Sequence, residues 1–247
     1  MSERLAVEGM VLSAMPIGEY DKRITILTKE RGLISAFVRG ARRPNSPNLA
    51  AANPLAYGVF ELYEGRSSYT VSKTDISEYF RDLTMDLELV YYGFYFLEVA
   101  EYYAQENMDE RQRLKLLYLT LKVMEKKVLP LTLVKFIYEF KTLVINGEYP
   151  NVYSCQVCGE KENLHAFSMK HRGLVCDKCR EKEGGDTLQS SSIYTMQYII
   201  STPIEKLYSF KLSDEVQEEL VQLMRIYRKR YFTHVFKSEE FLEKSMW

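Results

Sequence analysis

In the first third of the chain apolar side chains recur at every second position in short runs. Beyond about residue 82 they recur at steps of three and four. The early runs VEGMVLSAM, DKRITILT, GLISAFVR, AYGVFELYE and SSYTVSKT are rich in β-branched and aromatic residues and are bounded by Gly, Pro, Asn or charged turns, which predicts five strands. So many short strands in one stretch predict a small closed sheet or sandwich, and closure into a barrel would remove the exposed edges. Lys29-Glu30-Arg31-Gly32 joins the second and third runs as a hairpin turn, with a glycine available for a positive φ. Alternate side chains of a strand face opposite ways. Ile24, Ile26, Ile34, Ala36 and Val38 therefore form the core face of this hairpin, and Arg23, Thr25, Ser35, Phe37 and Arg39 the outward one.

The longer period begins with Leu83, Leu87, Val90, Phe94 and Leu97, an amphipathic pattern that predicts a helix over 82–104. Similar patterns predict helices over 110–126, over 130–145 with Pro130 in the first turn, and over 190–208 and 213–236. The aromatic residues of 91–103 read as packed core on a helical stripe rather than as a stacking platform. In the last helix Val216, Leu220, Leu223, Tyr227 and Tyr231 form the apolar stripe. RIYRKRYFTHVFK at 225–237 adds five cations and no acid, either a secondary contact surface or a complement to the helix dipole.

Composition changes this picture little. At 247 residues, 46% hydrophobic and 27% charged, the chain is ordinary globular material with room for one large domain or two or three small ones. Its start lacks the marks of a secretory signal and its richest apolar run, VYYGFYF, is too short to span a bilayer, so a soluble, cytosolic protein is expected. The net charge of -1 conceals an uneven distribution: residues 22–43 hold Lys22, Arg23, Lys29, Arg31, Arg39, Arg42 and Arg43 against the single Glu30. Arginines, small hydroxyls and one aromatic on an outward strand face suit phosphate holding and base stacking; charged outward residues also serve solubility alone.

All four cysteines lie in CQVC and CDKC, as Cys155, Cys158, Cys176 and Cys179, with 17 residues between the pairs. This spacing is that of a four-cysteine zinc site, and four thiolates leave no open coordination position, so the metal would be structural. Gly159 and Gly173 beside the pairs suit tight turns. The rival readings are two disulfides, disfavoured in a reducing compartment, and a thioredoxin-like redox pair, disfavoured by the second CxxC and the lack of a βαβ pattern. His165 and His171 lie within the ribbon as alternative ligands.

No catalytic motif occurs: GxSxG, a P-loop, HExxH and GxGxxG are all missing, and only three histidines are present. A binding protein is favoured over an enzyme. The alternatives are a protein-interaction adaptor with a merely soluble basic loop, and a zinc-dependent nucleic-acid hydrolase.

The string GEYDKRITILTKERGLISAFVRGARRPNSPNLAAANPLAYGVFELYEGRSSYTV, residues 18–71, resembles the N-terminal OB-fold of the bacterial RecO recombination-repair family. The likeness lies in the acidic-Tyr-Asp lead-in, the LT-x-E-x-G turn, the GARR loop and the LYEGR hairpin. Many members also carry a helical body interrupted by a paired CxxC ribbon. The resemblance implies an α+β multidomain chain: an OB-fold DNA-binding domain at 1–80, a helical domain at 81–152 and 186–247, and a zinc-binding insertion at 153–185. It also implies a mediator that binds single- and double-stranded DNA, anneals complementary strands and, with RecR, loads RecA onto strands covered by single-strand-binding protein. Such proteins receive the acidic C-terminal tail of single-strand-binding protein and act in the cytoplasm at the nucleoid. On this chain the expected DNA contacts are Arg39, Arg42 and Arg43, with Arg23, Lys29 and Arg31 in support and Phe37 as a stacking residue; the expected zinc ligands are the four cysteines.

Overall fold

The computed structural model describes residues 4–65, 68–231 and 234–245. By packing, the chain forms two compact units, Met1–Lys126 with Phe236–Trp247, and Lys127–Val235. This division cuts across the one by element type.

The first unit contains a closed barrel of strands β1 (Arg4–Ile17), β2 (Asp21–Thr28), β3 (Leu33–Val38), β4 (Tyr57–Glu64) and β5 (Tyr69–Glu78), in the order β1-β2-β3-β5-β4. Closure rests on β1, which pairs with β4 through its first half, Arg4 to Met10, and with β2 through its second, Gly9 to Ile17. A bulge between Val11 and Ser13 accompanies the change of partner. Among the described residues the only parallel contact in the barrel is between β3 and β5, at Ala36 with Tyr69 and Phe37 with Thr70. The alternation read from the sequence holds: Ile24, Ile26, Ile34, Ala36 and Val38 all enter one buried cluster with Val11, Phe60 and Leu62.

The hairpin turn docks on the connection at 104–110 between two helices that follow the barrel. Leu33 N donates to Gln105 O at 3.0 Å, Asn107 N to Arg31 O at 3.0 Å and Glu110 N to Lys29 O at 2.9 Å. Gly32 has φ 63°, and a Cβ there would stand 1.9 Å from Gln105 O. Both the conformation and the space demand glycine. Gly32→Val is expected to destabilise this unit by about 2–4 kcal/mol, the combined scale of left-handed strain and overpacking. A chemical-denaturation midpoint lowered without a change in slope would register it.

Helices α1 (Arg81–Thr84), α2 (Leu87–Tyr103) and α3 (Arg111–Lys126) complete the body of this unit. The single helix expected over 82–104 is broken because Asp86 caps a fresh start, its carboxylate accepting from Glu88 N at 3.0 Å and Leu89 N at 3.4 Å. Tyr92, Tyr95 and Phe96 are buried, as expected of aromatic core, whereas Leu87 and Phe94 of the expected stripe, and Tyr102, are exposed. Phe236 packs edge-on against Tyr95 and Tyr102 at 5.7 and 5.6 Å.

In the second unit, α4 (Leu131–Asn146), α6 (Ser190–Ser201) and α7 (Asp214–Tyr231) pack together. Pro130 precedes α4, its carbonyl accepting from Leu133 N and Val134 N. Lys141 of α4 is buried, and its ammonium donates to Ile199 O, Ile200 O and Thr202 O at 2.9, 3.2 and 2.9 Å, closing the orphan carbonyls at the end of α6. Between α4 and α6 lies the ribbon: β6 (Leu164–Ser168), β7 (Gly173–Cys176), α5 (Asp177–Glu183) and β8 (Asp186–Thr187), with sheet order β7-β6-β8.

The helix expected over 213–236 ends at Tyr231, and a separate helix, α8 (Lys237–Ser245), belongs to the first unit. Glu98 of α2 caps α8, accepting from Lys237 N at 3.0 Å, from Ser238 N at 2.9 Å and from the Ser238 hydroxyl. Of the basic run 225–237, residues 232–233 lie outside the described residues.

Candidate nucleic-acid interface and metal centre

Beyond β3 the chain makes a long connection to β4, and its first residues, RGARR, fold back on the β1–β2 turn. Gly40 N donates to Asp21 Oδ1 at 2.7 Å and Arg42 N to Tyr20 O at 2.8 Å. The Arg42 guanidinium reaches Gly18 O at 3.2 Å, and that of Arg43 lies 5.1 Å from the centre of the Tyr20 ring. Buried Ala41 anchors the segment between them while Arg39, Arg42 and Arg43 stay exposed. Arg23 is exposed on β2, paired across the sheet with Met15 on one side and Phe37 on the other. Five of the expected contacts, Arg23, Phe37, Arg39, Arg42 and Arg43, thus belong to one end of the barrel.

Two residues of this region were not singled out from sequence. Lys22 bonds Ala52 O at 3.2 Å and Asn53 Oδ1 at 2.5 Å. Burial, and then the positive charge of Arg42, hold its ammonium below the usual lysine range. Tyr20 supplies the ring beneath Arg43. Lys22 lay inside the basic window; its closeness to Arg42 depends on the fold of the loop. The acids here are Asp21, which caps the Gly40 amide, and exposed Glu19, which bonds the Tyr20 hydroxyl.

Lys29 and Arg31 stand elsewhere. Lys29 is about 20 Å from Arg23 along β2 at ~3.3 Å per residue. Its ammonium is ion-paired with Glu8, which also accepts from the Tyr57 hydroxyl. Burial would raise the Glu8 carboxyl, but these two partners outweigh it and hold the acid below its usual range. Arg31 is exposed on the docked hairpin turn. The outward face is also not open along its whole length. The Ser13 hydroxyl bonds Glu101 Oε1 of α2 at 3.2 Å, and Thr25 bonds the same carboxylate. Burial, with Glu98 adding repulsion, pushes Glu101 up.

The four cysteines converge. Their sulfurs all lie within 4.8 Å of one another, with Cys158 and Cys176 at 3.7 Å. A tetrahedral metal at ~2.3 Å from each sulfur sets neighbouring sulfurs about 3.8 Å apart, so the donor set fits a metal ion. All four are free thiols, and 3.7 Å is far beyond a disulfide bond. The knuckle geometry comes from the backbone: Gly159, at φ 79°, donates its N–H to Cys155 O at 2.9 Å. Gly173 lies within β7 rather than in a turn; Asn151 O occupies the place a Cβ would take, 2.4 Å away. Burial opposes ionisation of Cys155, yet the N–H groups of Cys176, Cys158 and Val157 overcome it and lower its thiol to about 6. Hydrogen bonding to Cys158, with burial, pushes Cys179 up to about 12. One ionised thiol sharing donors with its neighbours is the arrangement a cation completes. His165 and His171 instead bond carboxylates, Asp177 at 3.3 Å and Glu183 at 2.9 Å.

A closed small barrel with an exposed arginine loop, joined to a helical body carrying a four-thiol cluster, defines a multidomain α+β protein. Comparison with known proteins is specific. Residues 1–80 match the family described as Recombination protein O N terminal, and residues 85–240 match Recombination protein O C terminal. The chain is 31% identical to the DNA repair protein RecO of Alkaliphilus metalliredigens over 243 residues, covering 97% of this chain and 99% of that protein. It is 31% identical to the DNA repair protein RecO of Acetivibrio thermocellus, covering 97% and 96% of the two chains. With the DNA repair protein RecO of Bacillus subtilis the identity is 27%, covering 96% and 93%. The chain belongs to the RecO family, and its role lies in DNA repair and recombination. Among the described residues no helix is long and apolar enough to cross a membrane.

Proposed function

We propose that this chain is a recombination mediator which holds single- and double-stranded DNA by its phosphates at the end of the barrel formed by the β1–β2 turn and the RGARR loop. The observation that carries the reading is the display of exposed Arg39, Arg42 and Arg43 at that turn, with the Arg42 guanidinium held by Gly18 O and that of Arg43 over the Tyr20 ring. Cations held close together at a cost in repulsion are relieved by a polyanion. The same region of an OB-fold, the face of strands 2 and 3 with the first hairpin loop, is where such barrels take oligonucleotides. Arginine forks hold phosphates bidentately without reading bases, which leaves base edges available for pairing with a second strand. In this reading Arg23 extends the phosphate track and Phe37 stacks a base. Lys29 and Arg31, at the far end of the hairpin, reach only long DNA.

The barrel at 1–80 is then the DNA-binding domain, 81–152 with 186–247 the helical domain, and 153–185 the metal-binding insertion. Cys155, Cys158, Cys176 and Cys179 would hold one zinc ion as a structural crosslink, because four thiolates close the coordination sphere. Binding rather than catalysis follows from the absence of any catalytic motif. Family membership supports the rest of the proposal: annealing of complementary strands in the cytoplasm at the nucleoid, and cooperation with RecR to place RecA on strands covered by single-strand-binding protein, whose acidic tail the chain receives.

Photocrosslinking of a single-stranded oligonucleotide to the full chain, mapped by mass spectrometry, tests the site. Crosslinks are expected within residues 18–23 and 37–43. A barrel free of crosslinks, with the chain still active as a protein adaptor, would overturn the proposal.

A further inference from the structure

The second unit carries a cationic surface that the barrel site does not use. Cations in two separate stretches, the β6–β7 turn and the end of α7, differ sharply in their partners. Lys170 and His171 are both bonded to Glu183, and Arg228 is bonded to Glu139 at 2.8 Å. Arg172, Lys229 and Arg230, interleaved with them, are exposed and have no ion pair among the described residues. The Arg172 guanidinium lies 4.1 Å from the centre of the Tyr231 ring, and that of Arg230 lies 5.9 Å from the same centre. The ring itself is held, its hydroxyl donating to Met169 O and its centre 4.9 Å from that of the Tyr227 ring. One aromatic ring therefore orients two arginines from different elements. Arg172 holds φ 53°, a left-handed conformation that glycine or asparagine would adopt more cheaply. The acids of this region are Glu183 and Glu139, each taken up by a neighbouring cation, and Glu148, whose charge reaches Tyr227.

We propose that Arg172, Lys229 and Arg230 form a second phosphodiester-binding surface, so that one chain holds two nucleic-acid segments at once. This rests on the reading of the protein as a DNA-binding mediator, and it supplies what annealing requires beyond a single barrel site. A phosphate backbone suits the surface better than an acidic peptide. A peptide would need an apolar anchor, and the cavity next to Tyr227, lined by Phe136, Phe140, Phe167 and Met196, has a volume of about 10 Å³, no more than one water occupies.

The test uses the full metal-loaded chain and an oligothymidine of about 12 nucleotides, within the span one OB-fold covers. Arg172→Glu with Arg230→Glu is expected to halve the oligonucleotide bound at saturation and to slow annealing of complementary strands. Lys229→Glu, on the solvent face of α7, should reduce both in the same direction without touching the ribbon. Unchanged saturation in both variants would overturn the inference, as would loss of all binding when only Arg42 and Arg43 are reversed. So would variants that keep full oligonucleotide binding but lose a polyglutamate peptide. If the barrel variant binds normally and the Arg172 and Arg230 variant binds nothing, the barrel site fails while this surface stands.

Discussion

Cys176→Ser is expected to abolish the cooperative folding of the ribbon while leaving the barrel folded. The apolar cluster around the thiols is small and contains two of the ligands: Cys155, Ala166, Val175 and Cys176 are its buried members, with Leu164 and Cys179 at its margin, while Val152, Phe167 and Leu174 are buried outside it. Such a core cannot offset the entropy of ordering the segment, so a metal crosslink must provide the difference. Zinc bound by a structural site of this kind contributes on the order of 10 kcal/mol at neutral pH. Serine at a buried position of β7 removes one thiolate and leaves a hydroxyl of poor affinity in its place. Hydrogen exchange followed by mass spectrometry should show protection lost across 151–188 and kept across 4–65, with zinc content falling from one ion per chain. Chelation of the wild-type protein should reproduce the pattern. A metal-free chain with unchanged protection would refute the structural role.

What the sequence made legible, and what it did not, follows from the range of the interactions involved. Strand alternation is local, so the two faces of the β2–β3 hairpin could be read residue by residue, and Ile24 to Val38 lie where the period of two puts them. The paired CxxC knuckles are also local, and their convergence to 3.7 Å was implied by spacing. The parallel pairing of β3 with β5 joins residues more than thirty apart in sequence, and no periodicity reports it. The pairing of Lys29 with Glu8 is of the same kind: Gly9 opposes Thr28 across β1 and β2, so the ion pair becomes visible only once that register is known. Charge counting treated Lys29 as equal to Arg42, although one is neutralised and the other displayed. The break at Asp86 was hidden because Leu83 and Leu87, four apart, carry the apolar stripe across it, while the cap acts through backbone amides that hydropathy does not sense. Arg228 was indistinguishable from Arg230 in the basic run; only the fold brings Glu139 to it.

The central claim is that the RGARR loop holds DNA through phosphates, and its most direct test is a salt titration of single-strand binding by Arg42→Glu with Arg43→Glu. Both side chains are exposed and their backbone is held by Tyr20 O and Gly40 O, so reversal of charge leaves the barrel intact; a circular-dichroism melt matched to the wild type confirms it. An exposed arginine–phosphate contact contributes about 1 kcal/mol after screening, so two lost contacts weaken binding roughly 30-fold, and the introduced acids add repulsion. Each lost contact also removes about 0.7 from the slope of log K against log salt. The expected result is weaker binding at every salt concentration together with a slope flatter by about 1.4. Equal affinity and equal slope for variant and wild type would contradict the assignment of the barrel end as the DNA site.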